Sequence, residues 1–203
     1  MKKKILMLAV AACLIVLSIA GSSLAYFTDT DAATNVFTSG DGVDIELDYT
    51  HVSEKRYPGK TYNDVAKITL AQNSEKAYVG AIITLTKEKL ADIMTESGTG
   101  DIPATISNIF VGLNANTVKY DEETAGVCTI YVIVEDELTQ QTPSATIFDK
   151  IQIPAKWDRD QMKVFNDMEI KIKAYAVQTV GFEDVAALTA LKAAFSDWES
   201  CPA

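Results

Sequence analysis

Histidine is almost missing from this chain: His51 is the only one in 203 residues. A zinc hydrolase of the HExxH kind needs two histidines one helical turn apart and a glutamate as base, so that chemistry is excluded. A Ser/His/Asp or Cys/His arrangement would have to rest on His51 alone, and no nucleophile-elbow sequence accompanies it. Phosphate-cradling glycine loops are missing too. No GxxxxGK occurs, no GxGxxG follows a strand-like run, and "SGTGD" (Ser97–Asp101) reads as a loop after a helix. Basic residues are scarce, 18 Lys and Arg against 28 Asp and Glu. That balance excludes nucleic acid and anionic lipid as partners. Cysteine is limited to Cys13, Cys128 and Cys201, too few for a disulfide-dense framework. Neither catalysis nor a cofactor is expected.

What is present begins with an export signal. Lys2, Lys3 and Lys4 precede Ile5–Ala20, apolar apart from Ser18, and Gly21, Ser22 and Ser23 break the run. Ser23 and Ala25 put small residues at the two positions a signal peptidase reads, so cleavage is expected between Ala25 and Tyr26. A retained anchor is the rival, since no charge lies between Lys4 and Asp29. The small-residue break favours cleavage. Residues 1–25 hold three of the 18 bases and none of the 28 acids, leaving 15 against 28 and a formal charge of −13. No second membrane span and no dividing linker follow. Residues 26–203 are expected to form one secreted domain.

That domain reads as mostly strands. "VDIELDY" alternates, with Val43, Ile45, Leu47 and Tyr49 on one face and Asp44, Glu46 and Asp48 on the other. "YPGK" (Tyr57–Lys60) is a turn, Pro58 fixing φ and Gly59 free to take φ > 0. "TYNDVAKITLAQ" and "AYVGAIITL" follow, separated by the polar "NSEK" (Asn73–Lys76). Further β-rich runs are "ATISNIFVGL", "GVCTIYVIVE", "ATIFDKIQI" and "EIKIKAYAVQTV". Short strands with turns between them indicate an all-β antiparallel sandwich with minor helices. The helices are expected at Thr86–Glu96, at Asp158–Met168 and near the end. There Val185, Leu188, Leu191, Phe195 and Trp198 recur at helical spacing and are expected to pack on the sheet rather than bind a partner.

Three features bear on sites. Asp29, Asp31 and Asn35 are weak calcium candidates, because Ala33 falls where a third ligand should and no glycine shapes the loop. His51, just after an alternating strand, reads as solvated and without a partner. Cys128 lies on the apolar Ile130/Val132/Val134 face and reads either as a buried thiol or as the partner of Cys201. Such a bridge would close about 73 residues and contribute about 4 kcal/mol.

The exposed end has a pattern of its own. Tyr26, Thr28, Thr30, Ala32, Thr34 and Val36 share one face at period two, uncharged and rich in β-formers. Phe27, Asp29, Asp31, Ala33 and Asn35 share the other. This suits either a strand laid on another sheet's edge or a first strand of the chain's own sheet.

"AYFTDTDAATNVFTSGDGVDIEL", "YPGKTYNDVAKITLAQNSEKAYVGAIITL" and "FDKIQIPAKWDRDQMKVFNDMEIKIKAYAVQTVGF" together resemble the TasA/camelysin family. The resemblance is thinnest over Thr86–Thr142. It implies a jelly-roll-like sandwich, a polar hairpin at "NSEK", export through a SipW-type signal peptidase, and assembly into biofilm-matrix fibres. Each subunit would lend its N-terminal donor strand to the next. Some members are described as metalloproteinases, for which this chain lacks the histidines. The expectation is a secreted fibre-forming protein, a homopolymer at the cell surface that contacts other matrix proteins and no membrane after cleavage. The alternatives are a monomeric exported binding module and, more distantly, a metalloprotease.

Overall fold

The alternation at Val43–Tyr49 survives folding: Val43, Ile45 and Leu47 are buried, while Asp44, Glu46 and Asp48 are exposed. The structure is a computed structural model that describes residues 36–39, 42–51, 54–86, 108–113, 116–124, 127–183 and 185–202. In chain order its elements are β1 (Val36–Ser39), β2 (Ile45–Thr50), β3 (Thr61–Tyr62), β4 (Val65–Leu70), β5 (Ala77–Thr86), β6 (Phe110–Val111) and β7 (Thr117–Thr124). Then come β8 (Val127–Leu138), β9 (Ser144–Phe148), β10 (Lys150–Gln152), α1 (Arg159–Asn166), β11 (Glu169–Gln178) and α2 (Ala187–Ala194). A 3₁₀ turn, Ser196–Trp198, follows.

The strands form an all-β sandwich. One sheet has five strands in the order β1-β11-β5-β8-β7, and it faces a three-stranded sheet, β2-β4-β9. A smaller sheet, β3-β10-β6, closes one side. Every pairing is antiparallel except that of β1 with β11, which is parallel.

The three central strands of this sheet, β11, β5 and β8, are buried on both faces. Val79, Ile83, Ile130, Val132, Ile172 and Ala174 point at Ile45, Ile68 and Phe148 of the facing sheet. Their neighbours Ile82, Tyr131, Ile133, Tyr175 and Val177 point the other way, under α2 and Trp198. Double burial explains why "AYVGAIITL" and "YVIV" are unbroken apolar runs, whereas β2, wet on one side, alternates. Burying one tryptophan such as Trp198 removes about 200 Å² from water and contributes about 5 kcal/mol.

Several expectations are corrected. β4 and β5 belong to different sheets, so Asn73–Lys76 is a crossing and not a hairpin. Asn73 takes φ 67 there, and Ser74 Oγ accepts from Asp44 N at 2.8 Å and donates to Asp44 O at 3.0 Å. Of "ATISNIFVGL", the described residues 108–113 contribute the two residues of β6 as strand. β7 is a strand that its charged sequence conceals. Thr86 ends β5, and the rest of the helix expected at Thr86–Glu96 lies outside the described residues. α1 forms where expected, under a capping box made by Asp158 and Gln161. The C-terminal stripe is interrupted at Phe195, whose φ of −135 and ψ of 125 end α2 before the 3₁₀ turn. It packs on the sheet, as its spacing suggested.

Candidate functional site

Two places could carry function: the sheet edge at β1, and a charge cluster around the only histidine. At the edge, Val36–Ser39 pairs with Ala174–Val177, while β11 pairs with β5 along Glu169–Gln178. Backbone groups alone make such a ladder, so it asks little of the side chains. The opposite edge is different. β7 carries Lys119, Asp121, Glu122 and Glu123, whereas β1 carries Val36, Phe37, Thr38 and Ser39 and no charge. Charges on an exposed strand discourage pairing by a further strand. By sequence, one outer strand of the sheet is charged and the other is permissive to pairing.

Of the sequence-derived donor set, Val36 is placed in β1. Tyr26, Thr28, Thr30, Ala32 and Thr34 lie outside the described residues, as do the cleavage pair Ala25 and Tyr26 and the calcium candidates Asp29, Asp31 and Asn35. Among the described residues no helix is long and apolar enough to cross a membrane.

His51 departs from its expectation. It is not a solvated side chain without partners: its Nδ1 stands 3.1 Å from Oδ2 of Asp64, whose carboxylate is fully buried. Arg56 Nη2 also donates to Asp64 Oδ2, and it lies 3.2 Å from His51 Nδ1. Both nitrogens converge on one oxygen of Asp64. The guanidinium is 5.3 Å from the centre of the Tyr62 ring and 5.7 Å from that of Phe165. Its Nη1 is buried with no hydrogen-bond partner. The cluster pins the end of β2, the approach to β3 and α1 to one another. Arg56 and Asp64 were missed in the sequence because no periodic pattern links them. The one signal was the "YPGK" turn between them, which folds its flanks together.

These side chains do not suit a metal. A cation at Asp64 would meet the fixed charge of Arg56, and the only imidazole is oriented by that same carboxylate. Among the described residues no group of three or more His, Cys, Asp or Glu could hold an ion.

Cys128 and Cys201 are both buried and not joined to each other. Cys128 belongs to the cluster between the sheets and Cys201 to the cluster beneath α2, so the five-stranded sheet separates them. Near Cys201, Tyr175 Oη donates to Asp197 Oδ2 at 2.5 Å, and Lys173 Nζ approaches the same oxygen at 3.4 Å. Burial, and then the bond to Asp197, push the Tyr175 hydroxyl well above its ordinary range. The Tyr175 hydrogen bond, and then the Lys173 charge, hold the Asp197 carboxyl below its own.

Comparison with known proteins gives one positive finding. Residues 1–179 match the family described as camelysin metallo-endopeptidase. No curated protein and no solved structure matches the chain. The match spans most of the sequence, so the chain belongs to the camelysin family.

Proposed function

From membership of that family, we propose that the chain is a secreted structural protein whose subunits assemble into extracellular fibres. A signal peptidase of the SipW type removes residues 1–25, and the freed N-terminal segment pairs at the permissive sheet edge of the next subunit. The observation that carries this reading is the parallel pairing of β1 with β11 at the uncharged edge. A strand held by backbone bonds at the start of a domain makes the same bonds in its own subunit or in a neighbour.

The energetics favour assembly only at high concentration. Burying about 300 Å² of apolar surface contributes about 7 kcal/mol, against about 10 kcal/mol for ordering ten residues. Backbone hydrogen bonds close the difference. No metal enters this reading, and Arg56 beside Asp64 supports a structural role for the one histidine. Deleting Tyr26–Asn35 is the test. The expected product is folded and soluble and forms no filaments in negative-stain images, while the mature protein does. Filaments from the deleted chain, or its unfolding, overturn the donor-strand reading.

A further inference from the structure

The outer face of the five-stranded sheet is closed by chain that is not strand. Ile82, Tyr131, Ile133, Tyr175 and Val177 form an apolar surface, and the segment carrying α2, the 3₁₀ turn and Cys201 lies across it. Trp198 is fully buried there, its ring 5.5 Å from that of Tyr131 and 5.7 Å from that of Tyr175. Gly80 makes the seat. A Cβ at that position would stand 2.6 Å from Trp198 Cη2 and 2.9 Å from Leu191 Cδ1. Two hydroxyls of the face reach the segment, Tyr131 to Ser200 at 2.7 Å and Tyr175 to Asp197 at 2.5 Å. Face and segment match in shape and in polar groups.

The segment is also separable. The core between the sheets contains none of its residues, and the last strand ends at Gln178. Ala186 gives α2 no side-chain cap, and a helix of eight residues does not persist in water unaided, so docking makes it helical. Trp198 Nε1 is buried and finds no acceptor among the described residues, a desolvation cost that undocking removes. The tether 179–186 is anchored at Thr179, which is buried and bonded to Lys76 O, and Phe182 packs on the face; between them Val180 is exposed and a Cβ on Gly181 would meet nothing within 4 Å. Extended, that tether reaches about 26 Å. The whole segment lies beyond residues 1–179, the part that matches the family.

We propose that this face is a docking site for the C-terminal segment of a second copy of the chain, so that two subunits exchange segments. The contacts are the same in either arrangement, and concentration decides between them. A tether holds its own segment at an effective concentration of roughly millimolar. Crowded subunits match that, and dilute ones do not. The exchange stands whether or not the N-terminal strand builds fibres.

Two full-length variants remove the competition within one chain. Gly80→Val fills the seat and leaves the segment intact; Trp198→Ala spoils the segment and leaves the seat open. Each is expected to sediment as a monomer. An equimolar mixture is expected to give a 1:1 heterodimer, in which the Gly80→Val segment docks on the Trp198→Ala face. On mixing, the red-shifted tryptophan emission of Gly80→Val returns toward the blue. A mixture that stays monomeric overturns the proposal, as does self-association of Gly80→Val alone. Loss of the sandwich in either variant, read by far-ultraviolet circular dichroism, overturns it too, because the segment would then be indispensable to the fold.

Discussion

Replacing Asp64 by asparagine removes one negative charge from a place with no water to compensate. The Asp64 side chain is 0% exposed and that of Arg56 10%. The guanidinium cannot swing into solvent without leaving the Tyr62 and Phe165 rings that flank it. Breaking a buried pair on one side leaves an uncompensated charge and costs about 3–5 kcal/mol. For a domain of this size each kcal/mol lowers Tm by about 2–4 °C, so the fall should be about 6–20 °C. Urea unfolding at pH 7 should show a lower midpoint at an unchanged slope, the sign that stability and not compactness has changed. The double variant Arg56→Met, Asp64→Leu removes both charges and should recover most of the loss. His51→Ala deletes one partner of Asp64 and should cost about 1 kcal/mol. A loss below about 1 kcal/mol in Asp64→Asn is what an exposed pair gives, and it would refute the reasoning. So would a double variant as unstable as the single.

N-terminal analysis of the exported protein should find Tyr26 first, and a product that still carries residues 1–25 would remove the freed strand from the assembly scheme. The Tyr175–Asp197 contact predicts two pH limits for docking of the C-terminal segment. Because the folded Asp197 carboxyl is held below its unfolded value, its contribution is complete above about pH 4 and is lost as pH falls further. Because the folded Tyr175 hydroxyl is raised, its contribution is complete below about pH 10 and is lost above it. Tryptophan emission should therefore shift at both extremes, and an acid-side shift that persists in Asp197→Asn would contradict the assignment. Purified mature protein should digest casein no faster with zinc than with a chelator; a chelator-sensitive activity lost in His51→Ala would show that the cluster does more than hold the fold.

How much of this was legible depended on whether the cause was local. The alternation of β2 needs only one wet face and one dry one, so Val43–Tyr49 announced itself. The apolar runs of β5 and β8 revealed strands but not their surroundings, since a strand covered on both faces shows no period. That Trp198 provides part of the cover became readable only as a stripe, because Gly80, its seat, lies more than a hundred residues away in sequence. β7 was invisible because its charged residues are those that propensity counts against a strand. The crossing at Asn73–Lys76 was taken for a hairpin because a polar tetrapeptide between two strands looks the same whether they pair or part. His51 was misjudged because Asp64 meets it and Arg56 across the "YPGK" turn, and neither partner sits at a spacing that a helix or strand would mark.

Family membership and chemistry part company at that cluster. A fold passes between relatives as a pattern of buried and exposed positions, whereas hydrolysis needs particular side chains at particular distances. In this chain the one imidazole and the nearest buried carboxylate are committed to a guanidinium. Pairing at a sheet edge needs much less: backbone donors and acceptors, and an uncharged strand to offer them. Those properties belong to the fold and to the distribution of charge between β1 and β7. The proposed assembling role therefore asks of the fold only what backbone pairing requires, whereas the catalytic role suggested by the family's name would need a ligand group that is not found among the described residues.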